Sequence, residues 1–276
     1  MAGTEVTQAA ELLAVAWRDR RRISDLPADL QPETRAEAYA IQDELARLLG
    51  FDVAGWKVGM ASPASLRMAG FNEPIPGRLF AQTLTQSPAT FDVDAFVSPM
   101  VESEFAFRLL DPLPARAKPY SRDEVAAVAT LHLAIEIGDF RMASLLNAFM
   151  GTSQAPENPA TIPMQPLPWI ADNGGGGGFV VGEAVPQWQD LDLKNHPVEL
   201  RINKELATAG LEGEARCDPL GVLKWTANHL SQRNIGLAAG AFVTTGTATV
   251  PKLVTAGIEA TAHFEDLGEV CVRFTT

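Results

Sequence analysis

Val101-Glu102-Ser103-Glu104-Phe105-Ala106-Phe107 and Ala134-Ile135-Glu136-Ile137-Gly138-Asp139 decide how this chain folds, with Gly55-Trp56-Lys57-Val58-Gly59 ahead of them. Each segment sets ionisable residues inside an apolar run. A strand places residues i and i+2 on one face, so Glu102 and Glu104 point the same way. Glu136 interrupts Leu131–Ile137, otherwise a buried strand. Carboxylates are rarely buried without a partner. Three that converge repel one another, and a divalent cation relieves that repulsion. Oxygen-only ligands suit Mg²⁺ or Mn²⁺ better than Zn²⁺. The residues therefore point to a metal-dependent enzyme acting on a small anionic substrate. The competing explanation for Glu102 and Glu104 is a solvated strand face, and for Glu136 a buried salt bridge.

The chain is acidic, with 34 Asp and Glu against 22 Lys and Arg. It shows no basic stripe, which argues against a nucleic-acid partner. No apolar stretch reaches membrane-spanning length, and residues 1–8 lack the pattern of a secretory leader. Cys217 and Cys271 sit in no paired motif, so reduced thiols and a cytoplasmic setting are expected.

Taken in order, Thr7–Arg20 reads as a helix capped by Thr7, with Leu12, Leu13, Ala16 and Trp17 on its inner face. A second helix runs from Pro32 or Glu33 to Leu49 and stops at Gly50. Two helices alone bury little, so they are expected to pack on the main domain. Ala54–Met60 is a strand carrying Lys57, and Pro63–Ala69 a short helix. Ser121 and Glu124 match a capping box that opens a helix feeding the Glu136 strand. Arg141 either binds a substrate carboxylate or pairs with Asp139. Gly151–Pro168 reads as a long loop, and Asp172-Asn173 as a turn cap or site residues. Gly174–Gly178 has neither the spacing nor the lysine of a phosphate loop. It either shapes a pocket or forms a flexible span. From Phe179 the chain is β-rich, broken by a helix from Asp218-Pro219 to about Ser231. Thr244, Thr245 and Thr247 stand near Gly246 as donors or plain strand formers. None of His132, His196, His229 and His263 belongs to a cluster legible in the sequence. Many short strands without a βαβ rhythm predict a rolled or closed sheet.

Tyr39-Ala40-Ile41-Gln42, Gly55–Met60, Val101–Phe107, Ala134–Arg141, Ala171-Asp172-Asn173, Ala239–Thr249 and Leu267-Gly268-Glu269-Val270 together resemble the hydratase and decarboxylase branch of the fumarylacetoacetate hydrolase superfamily. The resemblance implies an α+β fold, a mixed β-roll or barrel with N-terminal helices. Residues 1–52 are then a helical region packed on a catalytic domain at 53–276. It implies Glu102, Glu104 and Glu136 as ligands for Mg²⁺ or Mn²⁺, and Lys57 in the active site; Asp139, Arg141 and Asp172 are the further catalytic candidates, read from their own segments, with a structural ion pair or turn cap as the alternative. The implied substrate is a small 2-keto or dienol acid. The implied reaction is hydration of a 2-hydroxy-2,4-dienoate to a 4-hydroxy-2-keto acid. A 4-oxalocrotonate-type decarboxylase, a C–C hydrolase and a non-catalytic partner subunit are the alternatives. The resemblance further implies a homo-oligomer, and a complex with a related decarboxylase, hydratase or aldolase. Where the family often has Asp-Asn-Ala-Ser, this chain follows Asp172-Asn173 with glycines, and a polar group is lost.

Overall fold

The computed structural model describes residue 1, residues 3–147 and residues 166–276, so most of the expected loop Gly151–Pro168 lies outside the described residues. Two sheets organise the chain. In spatial order the larger runs β2 (Ile75–Phe80), β1 (Val53–Gly59), β10 (Phe242–Thr247), β5 (Pro99–Leu109), β6 (Ala129–Asp139), β7 (Gly176–Val185) and β3 (Leu84–Gln86), with β11 (Lys252–Leu253) also on β5. The smaller runs β4 (Ala89–Asp92), β13 (Gly268–Thr275), β12 (Glu259–Phe264), β8 (Glu199–Ile202) and β9 (Glu205–Ala209). This is the mixed α+β roll that the short strands predicted.

Strand periodicity assigns the faces. On β5 and β6, Val101, Phe105, Phe107, Leu131, Leu133, Ile135 and Ile137 enter the main core. They meet Ala260, Ala262 and Phe264 of β12 and Val270, Val272 and Phe274 of β13. The Phe105 and Phe264 rings lie 5.1 Å apart. Each of the buried Val, Leu, Ile and Phe side chains contributes roughly 1.5–3 kcal/mol. The glutamates occupy the alternate positions and therefore the other face of the larger sheet. That face also carries a small apolar cluster of Leu79, Ala106, Ala134, Phe179, Val181 and Phe242.

Helices α1 (Gly3–Arg18) and α2 (Arg35–Leu49) share a second apolar cluster with Ile75, Phe80, Met100, Phe140 and Trp169. Helix α1 starts four residues earlier than expected. Thr7 does not cap it; its hydroxyl donates back to Gly3 O at 3.1 Å. Leu12 is exposed, and Ala9, Ala10, Leu13, Ala14 and Ala16 form the buried side. The buried side is therefore four alanines around Leu13, and Leu12 lies outside it. Helix α2 starts at Arg35, because Thr34 and Glu37 close a capping box. That Thr-x-x-Glu spacing was the available signal. Gly50 ends α2 in the left-handed region as expected (φ 67°). Helix α3 (Pro63–Ala69) and the Ser121–Glu124 box opening α4 (Arg122–Ala127) also match.

Two further helices are α5 (Pro166–Ala171) and α6 (Pro219–Gln232). Pro219 opens α6 as expected, but the Asp218 side chain turns to Arg122, whose Nη2 donates to Oδ1 at 3.0 Å. On α6, His229 stacks on Trp225 (4.6 Å) and tilts against Tyr39 of α2 (5.5 Å). Burial, then the Arg233 and Arg35 charges, pull its pKa down to about 4. The Glu73 carboxylate, 3.7 Å away, does not offset this. An unfolded chain protonates this histidine near 6.5 and the folded one only near 4. Stability should therefore fall as pH drops from 6.5 to 4. In urea titrations the wild-type midpoint is expected to fall more steeply across that window than that of His229→Gln. Equal slopes would remove His229 as the cause.

Candidate active site

The Gly-Trp-Lys-Val-Gly stretch is β1. Gly55 is required there by contact: a Cβ would lie 2.0 Å from Phe242 O on parallel neighbour β10. Trp56 lies under the Arg78 guanidinium, 4.9 Å from its ring centre. Lys57 is almost fully buried. Its Nζ lies 2.9 Å from Glu136 Oε1 and donates to Gly174 O at 2.9 Å. Burial pulls the Lys57 pKa down, but Glu136, Glu102 and Glu104 outweigh it and the net direction is up. Lys57 therefore stays an ammonium.

The β5–β6 register sets Glu102 directly opposite Glu136 and Glu104 opposite Ala134. Like charges facing across a ladder destabilise it, so this pairing needs compensation. Glu104 and Glu136 are each 1% exposed, whereas Glu102 keeps part of its surface open. Burial, then the Glu136 charge, push Glu102 up to about 8 despite Lys57. Burial, then Glu136 and Glu102, hold Glu104 well above the usual carboxylate range.

An irregularity in β10 handles Glu104. The β10–β5 register shifts between Thr244 and Thr247, and Gly246 takes a positive φ of 95°. The Thr245 and Gly246 amides then both donate to Glu104 Oε2, at 3.1 and 3.0 Å. These backbone partners were not foreseen; a glycine inside a threonine-rich strand was the signal for a bulge. The Thr245 hydroxyl goes to Phe105 O (2.8 Å) and that of Thr247 to Thr249 O (2.7 Å). Only Thr244 turns to the acids, its hydroxyl 3.5 Å from Glu136 Oε2.

The five glycines are a packed part of the site, not a flexible span. Gly174, Gly175, Gly176 and Gly178 are buried, and the last three of the run open β7. Gly174 and Gly175 adopt positive φ (63° and 71°). A Cβ on Gly175 would lie 2.6 Å from Phe140, and one on Gly177 2.7 Å from Asp139 Cβ. The run thus brings a backbone carbonyl onto Lys57, an approach that side chains would block.

Asp139, Arg141 and Asp172 meet beneath this run. Arg141 Nε donates to Asp172 Oδ1 (2.7 Å), Nη1 to Gly176 O (2.9 Å) and Nη2 to Asp172 O (2.9 Å). Its guanidinium sits 4.2 Å from the Trp17 ring centre, and it lies 3.6 Å from Asp139. Asp139 also accepts from the Val97 and Ser98 amides. Burial, opposed by Arg141, pushes Asp172 up to about 6. All three residues are 5% exposed or less and spend their polar atoms on one another and on backbone. Asn173 exchanges two hydrogen bonds with the Arg78 backbone (2.7 and 2.9 Å). Gln42, fully buried on α2, donates to Pro76 O and Ile170 O. It falls on the Leu45–Leu49 stripe of α2, a polar residue on an apolar face, which marks it in the sequence.

The acid set offers only oxygen and too much negative charge, which is donor chemistry for a hard divalent cation. Glu136 Oε1 is buried and, despite the close ammonium, accepts no hydrogen bond of acceptable angle among the described residues. The three carboxylates are not drawn together within 4.8 Å in this conformation. Among the described residues that closeness is met by His196, Glu265 and Asp266. Lys57 holds Glu136 and the β10 bulge holds Glu104. The residues fit a cation by type and by face, with Lys57 standing in as the positive charge.

No family model matches the chain. It is 28% identical over 273 residues to the 2-keto-4-pentenoate hydratase of Paraburkholderia phymatum, covering 98% of this chain and 97% of that protein. The 4-oxalocrotonate decarboxylase of Pseudomonas putida G7, solved with magnesium and adipate, superposes with a TM-score of 0.82. It is 25% identical, with 99% and 98% of the two chains covered. A protein assigned to the fumarylacetoacetate hydrolase family in Yersinia pestis CO92 shares the fold at a TM-score of 0.56. It is 20% identical, with 81% and 94% covered. The chain thus resembles the hydratase and decarboxylase branch of that superfamily and carries its fold, as its motifs implied.

Proposed function

We propose that this protein is a divalent-metal-dependent hydratase, which adds water to a 2-hydroxy-2,4-dienoate to give a 4-hydroxy-2-keto acid. The observation that carries this is the placement of Lys57, Glu102, Glu104 and Glu136 on one sheet face, with Lys57 2.9 Å from Glu136. Similarity to named hydratases and decarboxylases over nearly the whole chain supports the reaction class.

Glu102, Glu104 and Glu136 would hold Mg²⁺ or Mn²⁺. Such an ion supplies Lewis-acid polarisation of a 2-oxo acid. Lys57, kept charged by its neighbours, attracts the substrate carboxylate and balances charge around it. Glu102 is the partly open member of the trio and marks the side from which substrate and water arrive. Asp139, Arg141 and Asp172 act as positioning residues: they lock the glycine run whose Gly174 carbonyl orients the Lys57 ammonium. The free thiols of Cys217 and Cys271 fit a cytoplasmic setting. No helix among the described residues is long and apolar enough to cross a membrane.

The structural likeness to a decarboxylase favours one second reading, loss of CO₂ from a related 2-keto diacid at the same site. Turnover of 2-hydroxypenta-2,4-dienoate and 2-hydroxymuconate, with Mg²⁺ or Mn²⁺ added or chelated, separates the two. Metal-dependent ultraviolet loss of the dienoate with formation of the 4-hydroxy-2-keto acid is expected. CO₂ release from the diacid would move the assignment to decarboxylase, and no turnover of either acid would sink both.

A further inference from the structure

We propose that His196, Glu265 and Asp266 form a second cation site, suited to Zn²⁺, on the smaller sheet and apart from the carboxylates around Lys57. The β8–β12 ladder explains why they meet. Glu199 pairs with His263 and Leu200 with Ala262, and the same antiparallel count carried outward sets residue 196 opposite residue 266. His196 is on the chain entering β8; Glu265 and Asp266 are in the turn joining β12 to β13. One ligand atom from each lies within 4.8 Å of the others.

The second observation is the imidazole itself. Nine-tenths of the His196 side chain is buried, and Nε2 has no hydrogen-bond partner among the described residues. Buried polar atoms are ordinarily satisfied. Nε2 is aimed at Asp266 Oδ1 from 3.8 Å. That is too long for a hydrogen bond, yet it is within a few tenths of an ångström of the roughly 3.3–3.6 Å between two tetrahedral donors each about 2.0–2.2 Å from a shared ion. The ring is held in this direction. Phe105 packs edge-on with centroids 6.0 Å apart, and Arg216 Nη2 donates to His196 O at 3.3 Å. Phe105 belongs to the core between the sheets, so this site lies behind the face that carries the glutamates.

One imidazole and two carboxylates favour Zn²⁺ over Mg²⁺ or Ca²⁺, which prefer oxygen alone. Three protein ligands leave a fourth position for water. A bound ion would tie the β12–β13 turn to the chain leading into β8, and would stabilise the smaller sheet.

The test titrates ZnCl₂ into the full chain in excess Mg²⁺, by calorimetry and by thermal unfolding. The wild type is expected to bind Zn²⁺ with a raised Tm. The double variant Glu265→Gln, Asp266→Asn changes only exposed side chains, so its fold is not at risk. It should bind Zn²⁺ more weakly by at least the roughly 10–100-fold that losing even an outer-shell partner costs, and lose the Tm rise. Glu102→Gln should keep both. Undiminished Zn²⁺ binding in the double variant, no Tm rise in the wild type, or loss of the effect in Glu102→Gln instead would each overturn the proposal.

Discussion

Glu102→Gln is expected to cut kcat/KM for the dienoate by about 10²–10³-fold, the scale on which losing one transition-state electrostatic contact is felt. Stability in EDTA should stay level or rise. Glu102 faces Glu136 directly across the ladder, and burial, then Glu136, push its pKa up to about 8. Without a cation its charge is a net cost, and an isosteric amide removes that cost. Activity and stability should therefore move in opposite directions, as when a strained site is kept for function. Steady-state kinetics with and without Mg²⁺, set beside urea unfolding in EDTA, read both effects. Parallel losses of activity and stability would recast Glu102 as a structural residue.

Lys57→Met has the larger expected effect on the fold. It removes the ammonium 2.9 Å from Glu136 and leaves three carboxylates on one face with no compensating charge. Breaking a buried pair from one side costs about 3–5 kcal/mol. In EDTA the variant should lose roughly that much in urea unfolding. Mg²⁺ should restore a substantial part, because an ion that binds only the folded state stabilises it by mass action. Turnover should stay depressed even where stability recovers, since the charge that attracts the substrate carboxylate is still missing. A variant as stable as wild type in EDTA would mean that Lys57 does not hold the acids in place.

Local chemistry settled a good deal in advance. Alternation along β5 put Glu102 and Glu104 on one face, and an acid inside an apolar run singled out Glu136. Gly50, Ser121-x-x-Glu124 and Pro219 marked helix ends that the structure reproduces, because caps depend on a few neighbouring residues. The family motifs carried the fold itself. Three things needed long-range pairing. The β5–β6 register decided that Glu102 faces Glu136, where a one-residue slip would have sent one of them to the core. The β10 bulge supplied two amides to Glu104 from residues more than 140 positions away. The glycine run could have been a tether or a wall. Contact with Phe140, Asp139 and Lys57 made it a wall, and only folding brings those partners to it. In the same way the sequence offered Arg141 a substrate carboxylate or Asp139; the fold keeps Asp139 3.6 Å away and adds a nearer partner. Asp172, 31 residues on, engages it, since a buried guanidinium needs acceptors on several sides and only the tertiary fold provides them.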